Sequence, residues 1–123
     1  MARVAVFAGP GWRKKLRGGA RLTYEFFPGT STAPAKLPRR RFAGALVELG
    51  RHASAVQGVL RHAWPGKPLG SLSAQADARS RERSRRLGFD FHLVGGAAGE
   101  PTPAAVLAKL KPRGGAGGRD SRR

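Results

Sequence analysis

Cysteine is absent from this 123-residue sequence, which excludes disulfides, thiolate metal sites and thiol nucleophiles together. Long apolar runs are absent too. None approaches the roughly 18 residues that a membrane-spanning helix needs, so a chain integral to a bilayer is not expected. Acids are scarce, with 7 Asp and Glu against 24 Lys and Arg. They are also scattered, with no pair at helical spacing to share general acid and general base roles. His52, His62 and His92 lack metal-ligand spacing, and His52 and His92 read as surface residues on a helix flank and an outer strand face. The phosphate-binding pattern G-x-x-x-x-G-K does not occur, since GPGWRKK has neither its glycine spacing nor the following Ser or Thr. No G-x-S-x-G elbow and no H-E-x-x-H pair is present. These absences predict a protein that is not an enzyme and that holds no metal and no cofactor.

What the chain has instead is positive charge, formally +17. Such a chain repels itself and calls for a polyanion such as RNA, DNA or an anionic membrane surface. Arginine outnumbers lysine, and GC-rich codons explain part of that excess. They do not explain the shortage of acids.

The stretch from Pro38 to Trp64 carries the clearest periodicity. Phe42, Leu46, Leu49, Ala53, Val56, Leu60 and Trp64 recur at spacings of three and four, which predicts one long amphipathic helix with Arg40, Arg41, Arg51 and His62 on its far side. Pro38 suits the first turn and Trp64-Pro65-Gly66 ends it. Residues 2–9 read as a short strand leading into a basic loop, and residues 21–27 alternate as a half-buried strand. Residues 89–94 alternate most plainly, with Phe89, Phe91 and Leu93 facing one way. Residues 28–38 and 65–71 read as loops. Residues 73–87 form a marginal polar helix, capped by Ser73 and stopped by Gly88. Thr102-Pro103 starts a short last helix bearing Val106, Leu107 and Leu110.

The fold expected from this pattern is a small α+β domain, helix on sheet, with two or three strands, one long amphipathic helix, one short C-terminal helix and basic flexible arms. Residues 1–19 form a basic N-terminal arm with a short strand. Residues 20–111 form a single domain with a basic polar insert at 65–87, and 112–123 a disordered basic tail. The acid-free N-terminus resembles a mitochondrial presequence, although Pro10, Gly11, Gly18 and Gly19 break its helix.

Four basic clusters are the expected nucleic-acid-binding residues: Arg13, Lys14, Lys15 and Arg17; Arg39, Arg40 and Arg41; Arg79, Arg81, Arg83, Arg85 and Arg86; and Arg113 with Arg119. Arginine forks match phosphate oxygens in pairs and stack on bases. Three arginines at a helix start oppose the helix dipole unless phosphates compensate. Arg17-Gly18-Gly19 and Arg113-Gly114-Gly115 add two RGG triplets. Trp12 suits base stacking or a core anchor equally well.

The run LTYEFFPGTS with RRRFAGALVEL, and PTPAAVLAKL near the end, resembles a small thioredoxin-like family. Its members are mitochondrial large-subunit ribosomal proteins and an accessory subunit of respiratory complex I. Leu22, Tyr24, Gly29, Ser31, Arg41 and Phe42 hold the matching positions across residues 20–111. The family's Asn-Pro after the helix is missing, and residues 65–87 have no counterpart. The resemblance implies a non-catalytic member of a large mitochondrial assembly, and the basic clusters predict an RNA-contacting structural subunit of a ribonucleoprotein, a ribosome and by this resemblance a mitochondrial one, with rRNA and neighbouring proteins as partners. The alternative is an accessory subunit of a large mitochondrial complex, such as a respiratory complex, meeting acidic proteins or anionic lipid.

Overall fold

The computed structural model describes residues 2–29, 41–75, 77–95 and 101–110. Val4-Ala5-Val6-Phe7 is buried at every position, and so is Gly44-Ala45-Leu46-Val47. A strand with no exposed face belongs inside a parallel sheet that helices cover on both sides. The described residues form such a sheet. β1 (Ala2–Phe7), β2 (Leu22–Phe27), β3 (Gly44–Glu48), β4 (Leu69–Ser73) and β5 (Phe91–Val94) lie in the order β2-β1-β3-β4-β5, and every neighbouring pair is parallel. The helices are α1 (Trp12–Lys15), α2 (Ala53–Ala63), α3 (Ala78–Arg86) and α4 (Pro103–Leu110).

Side-chain alternation along the strands builds two cores. Val4, Val6, Leu46, Leu72 and Leu93 face one layer, closed by Trp12, Leu16, Val106 and Leu110 from the α1 and α4 segments. Ala5, Phe7, Ala45, Val47 and Leu69 face the other, against Ala53, Val56 and Leu60 of α2 and the following Trp64. Each fully buried Leu, Val or Phe contributes about 1.5–3 kcal/mol. Aromatic stacking tightens the second core, with Phe42 and Trp64 ring centroids 5.0 Å apart and Phe7 and Phe27 5.1 Å apart. α3 buries only Ser84, so its ends matter more. Asp77 caps it by accepting the Ser80 N–H at 2.7 Å, and Gly88 follows it at φ +88°, a conformation glycine adopts freely. Thr102 caps α4 by accepting the Ala105 N–H at 3.2 Å.

The expected α+β helix-on-sheet domain is therefore corrected to a three-layer α/β architecture with five parallel strands. The predicted long helix over 38–64 does not form. Its described part divides into β3, a turn, and α2, because a strand buried on both faces shows an apolar run that mimics helical spacing. Leu46 packs in the first core, while Phe42, Ala53, Val56, Leu60 and Trp64 pack in the second. Residues read as the end of a loop, Leu69 to Ser71, open β4 instead. Asp77 rather than Ser73 caps α3. The tail at 112–123 lies outside the described residues.

Candidate functional site

From β1 the chain passes to β2 on one side and then to β3 on the other. The crevice beyond the carboxyl ends of β1 and β3 is thus the topological switch point, where open α/β sheets bind ligands. Here Glu48 ends β3 and its carboxylate accepts the Gly9 N–H at 2.8 Å. Ala8 and Gly9 follow β1 and bring no polar side chain. Arg83 reaches in from α3, donating to the carbonyls of Leu49 at 3.1 Å and Gly50 at 2.9 Å, and so pins the turn after β3. Beside the ends of β1 and β2 lies a cleft of about 280 Å3, bordered by Gly9, Pro10, Arg13, Phe26, Phe27 and Pro28. The Arg13 guanidinium sits 5.0 Å from the Phe26 ring centroid. Among the described residues no group of three or more His, Asp or Glu side chains suits a metal ion.

A second polar cluster joins β4, β5 and α3. His92 Nδ1 lies 2.6 Å from Ser71 Oγ, and His92 Nε2 lies 3.0 Å from Ser73 Oγ. Ser73 donates to the Gln75 carbonyl at 2.7 Å, so its oxygen accepts the Nε2–H and leaves Nδ1 to accept from Ser71. Ser71 Oγ also lies 2.5 Å from Ser84 Oγ, and both serines are buried. Burial lowers the His92 pKa below the ordinary imidazole range, Arg81 lowers it further, and Asp77 opposes them. The Ser80 backbone N–H holds the Asp77 carboxyl below its usual range. His92, expected at the surface, is half-buried and bonded on both nitrogens. Alternation around Phe91 and Leu93 gave its strand face but could not show two serines about twenty residues earlier in the chain. Glu48 was legible only as an isolated acid.

The described basic residues separate. Arg13 and Lys14 are exposed on α1, Lys15 sits 4.9 Å over the Trp12 ring, and Arg17 is exposed just beyond. Arg41 precedes β3 and pairs with Glu25 at 2.9 Å. Arg79, Arg81, Arg85 and Arg86 are exposed on α3, the last two beside Glu82 at 2.6 and 3.9 Å. Arg39, Arg40, Arg113 and Arg119 lie outside the described residues.

No protein-family model matches the sequence, and a comparison with curated proteins finds no match. Solved structures do match in fold. A response regulator in red light signalling of R. palustris superposes with a TM-score of 0.60 at 16% identity, over 88% of this chain and 90% of that one. A response regulator protein from Burkholderia pseudomallei, with a phosphorylated aspartic acid, calcium ion and citrate, gives 0.62 at 12% identity over 94% and 69%. A putative pilus assembly protein from Burkholderia thailandensis gives 0.63 at 16% identity over 89% and 98%. At these identities the likeness establishes the response-regulator fold alone.

That fold overturns the resemblance to thioredoxin-like ribosomal and complex I subunits. Leu22 and Tyr24 lie on β2, but Arg41 and Phe42 lead into strand β3 rather than standing on a helix. The expected RNA-contacting ribosomal subunit, its rRNA and ribosomal-protein partners, and the respiratory alternative fall with it. The proteins that share the architecture are described by signalling and pilus assembly.

Proposed function

We propose that this chain is a non-catalytic docking module of a signalling or assembly system, built on the response-regulator fold without phosphoryl chemistry of its own. The fold likeness supports the class of system. The observation that carries the chemistry is the crevice at β1 and β3, where Glu48 is the one carboxylate among the described residues and already accepts the Gly9 N–H. A phosphorylated carboxyl needs its charge met, commonly by a divalent cation with several oxygen ligands. Ala8 and Gly9 bring no side-chain oxygen, and the cation brought in by Arg83 disfavours a second one. The module then acts by presenting a fixed surface to a partner protein.

Incubation with acetyl phosphate and Mg2+, followed by intact mass measurement, tests this reading. The expected result is no phosphoryl adduct. An adduct mapped to Glu48 would overturn it, as would a cellular complex that nuclease treatment disperses.

A further inference from the structure

The cleft beside Arg13 plays no part in that reading, and its chemistry is specific. It offers one guanidinium, the Phe26 ring beneath it, two prolines in Pro10 and Pro28, and the bare backbone of Gly9, while the Phe27 ring turns to the other face of the sheet and stacks on Phe7. Arg13 is exposed and makes no ion pair among the described residues, whereas Arg3 and Arg41 are both taken by Glu25. Contact between the guanidinium and the Phe26 ring uses none of its five N–H donors. Among the described residues no acceptor takes them, and the planar fork is matched to an acceptor with two oxygens. The one carboxylate of the adjoining crevice, Glu48, is turned to the Gly9 N–H.

We infer that this cleft binds a small aromatic anion, a single flat ring carrying a carboxylate or a phosphate monoester. The acid group meets Arg13 and the ring lies against the edge of Phe26 and the two prolines. Size supports the assignment. A volume of about 280 Å3 is at the lower limit of ligand pockets, enough for one ring and its acid group and too little to enclose a dinucleotide.

Phenyl phosphate and benzoate are the probes, titrated into the full chain and followed by calorimetry and by amide shifts in NMR spectra. Inorganic phosphate supplies the charge without the ring, and benzyl alcohol the ring without the charge. Saturable binding of at least one aromatic acid is expected, tighter than either control, with shifts concentrated at Gly9, Arg13 and Phe27. Arg13→Gln should weaken it by about tenfold or more, the range of a lost charge-assisted bond. Lys14→Gln, one residue away and also exposed, should leave it unchanged. Circular dichroism checks that both variants fold. Absence of saturable binding overturns the inference. Equal binding of inorganic phosphate, or an equal loss with Lys14→Gln, overturns it as well by showing general attraction to a cationic surface. The result is independent of the phosphoryl-donor experiment, so either reading can fail alone.

Discussion

Replacing Ser71 with alanine removes one oxygen and strands two partners. The Ser71 Oγ lies 2.5 Å from Ser84 Oγ on α3 and 2.6 Å from His92 Nδ1 on β5. Ser71 is 0% exposed and Ser84 3%, so water does not replace the lost contacts freely. A buried polar group left unpaired costs about 1–3 kcal/mol. Two reliefs apply. The Ser84 hydroxyl can turn back to a helix carbonyl four residues earlier, and the half-buried His92 regains some solvation. The expected loss for Ser71→Ala is therefore about 2–3 kcal/mol.

Ser84→Ala removes the same contact from the other side, yet leaves Ser71 bonded to His92. It should cost about 1 kcal/mol. In the double variant no Ser84 hydroxyl remains to be stranded, so its cost falls short of the sum by about 1 kcal/mol. Urea unfolding followed by Trp12 and Trp64 fluorescence measures all three, at about pH 8 where His92 is neutral. In thermal melts each kcal/mol corresponds to about 3–6 °C for a chain of this size. Equal, additive losses for the two serines would refute the reasoning, because additivity would mean that the two hydroxyls are not coupled.

The remaining predictions concern pH. The folded pKa of His92 lies below 6.5, chiefly through burial and then Arg81, so the unfolded chain takes up this proton first as pH falls. Stability should be complete above 6.5 and decline from there to the folded value, whereas His92→Gln should be flat in that window; parallel urea midpoints would refute it. Tyr24, the only tyrosine, is raised by burial from 10.0 to about 12. Its near-ultraviolet phenolate absorbance should titrate near 12 when folded and near 10 in denaturant, with stability falling as pH rises through that interval. A folded midpoint near 10 would contradict the burial of its hydroxyl.

β2 and β5 were legible because each carries visible alternation, although Phe89 precedes β5 and packs in the second core rather than with Phe91 and Leu93, and α4 because Thr102-Pro103 marks its start. β3 and β4 were not, and the reason is physical. Strands covered on both faces lose their period of two, so Gly44 falls inside the predicted helix and Gly70 inside the loop expected over 65–71. A Cβ on Gly44 would stand 2.7 Å from both the Leu110 Cδ2 and the Pro68 carbonyl oxygen, and one on Gly70 would enter the Phe91 ring. Those glycines mark close packing inside a sheet. The site was hidden for a related reason. Glu48 gains meaning only as the last residue of β3 beside Gly9, and Ser71 meets Ser84 only through the order of the strands.

Composition argued for a polyanion because it counts cations without their partners. In the fold Arg3 and Arg41 share Glu25, and Arg61 bridges Asp90 and the Gly88 carbonyl. Arg83 holds the turn after β3, while Arg13 and Lys15 lie over aromatic rings. Exposed pairs of this kind add about 0–1 kcal/mol each, so their effect is on geometry more than on stability. Among the described residues Lys14, Arg17, Arg79 and Arg81 are four of the exposed cations that form no salt bridge. The first two belong to the layer of α1 and the last two to that of α3, on opposite sides of the sheet. These four cations therefore do not share one face of the sheet. On the docking reading proposed above, a positive field spread over both layers would orient and speed encounter with a partner.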